Sequence, residues 1–179
     1  MRITTTRFLL RPFTLNDTKA LADILADERV MAHSINGVMS QTQTRDFIKS
    51  CIASYQQYGF GPWAVVDKSS DNLLGFCGLK CDRLDDRDII HIGYRFRFES
   101  WGQGVATECA QAVVSFCKER AISQLYALIE PNHSASMAVA KKVGFMPLGT
   151  VHFYHKELAL YGLSTTTYSE KLFKSHKNG

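Results

Sequence analysis

Trp101-Gly102-Gln103-Gly104-Val105-Ala106-Thr107-Glu108 decides how this chain is read. The stretch stands between two segments of different period. Before it, Ile90, Ile92, Tyr94, Phe96 and Phe98 fall on one face of a strand, Ile89 to Phe98, and His91, Gly93, Arg95 and Arg97 on the other. After it, Ala106, Cys109, Ala110, Val113, Phe116 and Cys117 recur at helical spacing and predict a helix to about Arg120. A strand therefore feeds a helix through a glycine-bearing turn. Such a turn bares backbone N–H groups, the helix N-terminus adds partial positive charge, and a missing Cβ lets an anion come close. It can hold a phosphate without a basic side chain. The same spacing also serves as a plain strand–helix turn with no ligand.

Working outward, Leu125 to Ile129 is a further strand, broken by Pro131-Asn132. Ser134 to Val143 is a short helix with Gly144 as its C-terminal cap. Upstream, Arg7 to Arg11 reads as a first strand stopped by Pro12. Thr14-x-x-Asp17 and Ser40-x-x-Gln43 each open a helix, and Gly59 closes the second. Pro62 to Asp67 and Leu73 to Cys81 form a hairpin, followed by a polar loop, Asp82 to Asp88. Phe145 to Val151 and Leu163 to Phe173 are the closing strands, with His152 to Gly162 as their connection. Antiparallel hairpins ahead of a strand–turn–helix–strand unit predict a mixed α/β sheet rather than repeated βαβ units.

The bulk properties agree. With 179 residues, of which 45% are hydrophobic, the chain suits one domain, expected over 1–173, with a disordered tail at 174–179. No signal peptide or apolar span of membrane length is seen, so a soluble, cytoplasmic protein is expected. The five cysteines are an odd number scattered through apolar segments, which reads as reduced core thiols. Cys77 and Cys81 lack a second ligand pair, so no metal is expected. The net charge of +4 is mild and dispersed, with no aromatic–basic repeat for single-stranded nucleic acid.

Four segments together carry a resemblance: Ile92-Gly93-Tyr94-x-Phe96, the Trp101–Glu108 turn, Glu130-Pro131-Asn132 with the serines that follow, and Lys142-Val143-Gly144-Phe145. In this order they resemble the GNAT acetyltransferase superfamily, and more narrowly its branch of ribosomal-protein-alanine N-acetyltransferases. Thr6 to Pro12 resembles that branch's opening strand, so the likeness covers about residues 5 to 173. It implies the GNAT fold, a mostly antiparallel sheet splayed between central parallel strands, with helices on both faces. It implies acetyl-CoA in the V between Ile89–Phe98 and Leu125–Ile129. Backbone groups of Phe96, Arg97 and Phe98 are then expected to pair with the pantetheine arm. The N–H groups of Gln103, Gly104, Val105, Ala106 and Thr107 are expected to hold the pyrophosphate, and Asn132 to bond the pantetheine chain. The implied partners are acetyl-CoA and an amine, either a protein N-terminus or a small molecule. Many relatives dimerise, which leaves a homodimer open.

Acetyl transfer to an amine needs a neutral nucleophile, an oxyanion donor and an acid for the leaving thiolate. His91 stands where the branch often has Glu and is the first candidate for the base, with Glu130 the second; a partly exposed strand histidine is the bland reading. Many members place a Tyr acid where this chain has Ala140. Ser136, one turn earlier, takes the acid's place or else satisfies local backbone. Lys141 and Lys142 face either the 3′-phosphate of CoA or solvent. His152, Tyr154 and His155 are candidate linings of an acceptor pocket. Two other readings stand beside this one. In a non-catalytic CoA-binding module, Ala140 marks lost activity. In a dinucleotide-binding domain, Thr107 would occupy the third glycine position.

Overall fold

The computed structural model describes residues 1–166. The tail at 174–179, and most of the strand expected to run to Phe173, lie outside the described residues. Among the described residues eight strands form one sheet in the order β1-β2-β3-β4-β5-β6-β8-β7. They are β1 Ile3–Thr4, β2 Phe8–Arg11, β3 Pro62–Asp67, β4 Leu73–Leu84, β5 Arg87–Phe96, β6 Gln124–Ile129, β7 Met146–Phe153 and β8 Lys156–Ser164. Five α-helices accompany them: α1 Thr18–Leu25, α2 Glu28–Met31, α3 Gln41–Tyr58, α4 Val105–Glu119 and α5 Ser134–Val143. None is long and apolar enough to cross a membrane.

Helix α3 starts as its sequence dictates. Ser40 accepts from the Gln43 N–H, and the Gln43 side chain accepts from the Ser40 N–H. Gly59 ends it in a left-handed conformation. The strand alternation then sorts the core onto two faces. Ile92, Phe96, Cys109, Ala110 and Val113 pack on the α4–α5 face. Ile24, Leu25, Ile48, Cys51, Ala64 and Phe76 pack on the α1–α3 face. Burying a side chain of this size contributes roughly 1.5–3 kcal/mol, and Leu21, Leu25 and Ile48 are almost wholly withdrawn from water.

Two sequence expectations are corrected. The polar loop at Asp82–Asp88 is a tight hairpin: β4 runs on to Leu84, β5 begins at Arg87, and Asp85 takes a positive φ of 52°. The connection His152 to Gly162 is likewise mostly strand. β7 and β8 meet at Tyr154-His155, with φ of 44° and 66°, so Leu163, expected to open a new strand, falls near the end of β8, the last described strand. Both φ values are positive, as a two-residue hairpin turn of the right twist needs.

The only parallel contact among the described strands is β5 with β6, and it is registered at one pair, His91↔Tyr126. Each of these strands is held firmly on its outer side. β5 pairs with β4 over ten positions and β6 with β8 over six. Beyond His91 and Tyr126 the inner edges therefore diverge as a V. Gly75 lets β4 follow β5 up one arm of it, because a Cβ there would stand 2.0 Å from the Arg95 carbonyl oxygen.

Candidate active site

The first part of the site is the mouth of α4. Gly102 and Gly104 are left-handed, at φ 73° and 76°. Gly104 is the N-cap, and among the described residues no side chain caps the helix. The first-turn N–H groups of Val105, Ala106 and Thr107 thus have no intrahelical acceptor. Arg7, just before β2, pins this turn. Its Nη1 donates to the Gln103 carbonyl at 2.9 Å, and its Nε and main-chain N–H donate to Glu108 at 2.7 and 2.9 Å. No sequence argument singled out this clamp, since its partners are 101 residues apart.

The second part is the inner edge of β5. The Arg97 N–H donates to the Leu74 carbonyl at 2.8 Å. Main-chain groups alternate along an antiparallel ladder, so those of Arg95 and Arg97 turn to β4 and those of Tyr94 and Phe96 turn to the V. The Phe96 carbonyl accepts from Trp101 Nε1 at 2.9 Å and the Tyr94 carbonyl from Arg95 Nη1 at 2.8 Å. The N–H groups of Tyr94 and Phe96 are the donors left facing the cleft. Of the expected pantetheine partners, Phe96 is on this edge, Arg97 is bonded to β4, and Phe98 lies in a 3-10 turn with its carbonyl taken by the Trp101 N–H.

A cavity of about 50 Å³ fills the V between Gly93–Arg95 and Leu128–Ile129, roofed by Ser136 and Ala140 of α5. Across it the Tyr94 hydroxyl meets the Ser136 hydroxyl at 2.8 Å. Burial pushes the Tyr94 phenol up to about 12, so it keeps its proton at working pH. The strand alternation put Tyr94 on the face of Ile90, Ile92 and Phe96, but nothing in sequence placed it against Ser136. Asn132 is exposed in the turn before α5, where its carbonyl accepts from the Ser134 N–H. Lys141 and Lys142 are exposed in the last turn of α5, where they complement its dipole.

The other sheet face is open above Gly93, where a Cβ would meet no atom within 4 Å. His91 and Arg95 flank that opening from the same strand. His91 is buried, and its Nε2 bonds Asp82 Oδ2 at 2.8 Å. Tyr154 donates to the other Asp82 oxygen at 3.1 Å. Burial pushes the Asp82 carboxyl up, but the bond and charge from His91 and the Tyr154 hydroxyl outweigh it, leaving it below the usual range. In the neutral ring, Nε2 donates to the ionised Asp82 and Nδ1 is left as the free lone pair. His152 and His155 lie at the β7–β8 hairpin end.

A second cluster ties the segment after α2 to the arms of the V. Glu130, at the end of β6, accepts from His33 Nδ1 at 2.8 Å and pairs with Lys156, whose ammonium holds its carboxyl below the ordinary value. Arg95 donates to the His33 carbonyl at 3.2 Å, and the His33 ring stacks on His133 at 3.9 Å between centroids. Burial, then the neighbouring His33 and Arg95, holds the His133 imidazole down to about 4. Its unfolded value is ~6.5. The folded state therefore binds fewer protons between these values, and stability present above pH ~6.5 is lost as pH falls towards 4. His133 is half-exposed, which reduces the effect. Melting scans are expected to show a Tm fall of roughly 3 °C across that window, absent in His133→Asn; an unchanged slope in the variant would assign the loss elsewhere.

The topology is not that of a dinucleotide-binding domain, whose open sheet is mostly parallel; among the described strands one pair is parallel and the rest antiparallel. The comparisons agree with the geometry. An uncharacterized protein of Bacillus subtilis (strain 168), YkkB, is 29% identical over 161 residues, covering 89% of this chain and 94% of that protein. A GNAT-family acetyltransferase from Bacillus anthracis superposes with a TM-score of 0.79 at 23% identity, over 92% of this chain and 99% of that one. RimL, a ribosomal alpha-N-protein acetyltransferase solved in complex with coenzyme A, superposes with a TM-score of 0.78 at 20% identity, over 92% of this chain and 98% of that one. The sequence model of the acetyltransferase (GNAT) domain matches residues 7–146, and the chain belongs to the GNAT acetyltransferase family.

Proposed function

We propose that the protein transfers the acetyl group of acetyl-CoA to a primary amine, a protein N-terminus or a small molecule, by direct attack in a ternary complex. The observation that carries this reading is the uncapped mouth of α4 standing at the open end of the β5–β6 V. The amides of Gln103 to Thr107 hold the pyrophosphate, with Arg7 keeping the turn in place. The Tyr94 and Phe96 N–H groups bond the pantetheine arm as an added strand would, and Asn132 supports it from the α5 side. The paired hydroxyls of Ser136 and Tyr94 supply a proton to the departing sulfur. They fill the role that Ala140 cannot. An amine crossing the open face above Gly93 meets His91, whose Nδ1 takes its proton directly or through water. Asp82 orients the ring and supports the imidazolium that forms.

Turnover of acetyl-CoA against a panel of amines and peptides tests the reading. Binding without turnover on any acceptor favours a non-catalytic CoA module. The base is tested by pH. A free alkyl amine has a pKa near ~10, so His91→Ala is expected to lower kcat/KM by ~100-fold at pH 7 and much less near pH 10, where the amine deprotonates unaided. An equal loss at every pH removes His91 from that role.

A further inference from the structure

The acceptor face of the sheet carries cations that the protein does not neutralise. Lys80 lies on β4 directly opposite His91 and on the same face as Arg95. Its ammonium stands 5.3 Å from the centroid of the Phe47 ring, where the charges of Asp82 and Arg95 act on it. The side chain is largely buried, yet among the described residues it makes no ion pair and no hydrogen bond. The nearby carboxylates are committed. Asp82 accepts from His91 and Tyr154, and Glu130 from Lys156 and His33. Among the described residues the part-buried guanidinium of Arg95 reaches only two carbonyls, of Tyr94 and His33. Burial lowers the pKa of both cations, as expected where a charge is withdrawn from water without an opposite partner.

We propose, on the footing of the amine-transfer reading above, that the acceptor bears a carboxylate close to its amine and that Lys80 binds it. The amine lies over Gly93, and Lys80 stands across the ladder from His91, two residues along the strand. That offset is about 7 Å, the span from an amine to the carboxylate of a dipeptide, or to an acidic side chain beside a peptide's N-terminus. Arg95 adds a second positive wall. A polyamine or an aminoglycoside brings further positive charge to a face that already has too much, and is rejected by the same field.

Matched acceptors test this with the full-length protein and acetyl-CoA. Initial rates of thiol release are compared for tripeptides with an acidic or a basic second residue, for dipeptides and their C-terminal amides, and for spermidine and kanamycin. The acidic and free-carboxylate acceptors are expected to exceed their partners at least ~10-fold in kcat/KM. Lys80→Met is expected to erase that preference, raising KM more than it lowers kcat. Its melting temperature is expected to equal or exceed that of the wild type, since an unpaired buried cation has been replaced by an apolar chain of similar length. A preference for spermidine overturns the proposal, as does an undiminished acidic preference in Lys80→Met or a clear fall in its melting temperature. Acetyl-CoA binding with no turnover of any carboxylate-bearing acceptor also overturns it, while leaving the cofactor assignment standing. Failure to bind acetyl-CoA at all takes down the transfer reading itself.

Discussion

Gly104→Val is expected to abolish acetyl-CoA binding in a protein that still folds. Gly104 holds φ at 76° and caps α4 without a side chain. A Cβ there would find its nearest atom, Arg7 Nη2, at 3.5 Å, an ordinary contact. The variant's stability cost is therefore mainly the left-handed backbone, of order 1–2 kcal/mol, against a typical reserve of 5–15 kcal/mol. The cost to binding is larger. The branched side chain stands beside the amides that must meet the anion, and relief of its strain swings those amides away. Calorimetry is expected to show a dissociation constant raised at least ~100-fold, about 2.7 kcal/mol, with no ligand-induced rise in Tm. Wild-type affinity in this variant means that the pyrophosphate is held elsewhere.

The second large effect is expected at the hydroxyl pair. Ser136→Ala and Tyr94→Phe should each lower kcat by ~100-fold, with acetyl-CoA affinity changed only a few-fold. The two groups are 2.8 Å apart and deliver one proton between them, so the double variant should lose little more than either single one. Multiplying losses would assign them separate tasks. Full activity in Ser136→Ala would leave the thiolate to be protonated by water, and the Tyr94 contact would be purely structural.

How much of this was legible in sequence depends on the range of the signal. The α4 turn and its helix followed from two glycines and a 3.6-residue stripe, and the two faces of β5 followed from strict alternation. Both are local codes. The hairpin ends were misread because their turn residues carry no local mark: Asp85, Tyr154 and His155 adopt positive φ with no glycine or Asn-Gly pair to announce it. The clamp of Arg7 on Glu108 and the cluster of His33, Glu130 and Lys156 join segments far apart in the chain, and Ala32 to Met39 has no periodicity from which to place His33. His91 was legible as a candidate base, but the Asp82 carboxylate that leaves its Nδ1 free depends on the β4–β5 register. Tyr94 was visible as a member of the apolar face of its strand, while its meeting with Ser136 depends on how α5 lies across the V.

The measurement that bears most directly on the central claim is a crystal structure of the protein with acetyl-CoA. The account predicts pyrophosphate oxygens within hydrogen-bonding distance of the Gln103 to Thr107 amides. It also predicts the pantetheine arm along the Tyr94 and Phe96 N–H groups and the thioester sulfur beside Ser136. Acetyl-CoA bound elsewhere, with the mouth of α4 free of phosphate, would contradict it.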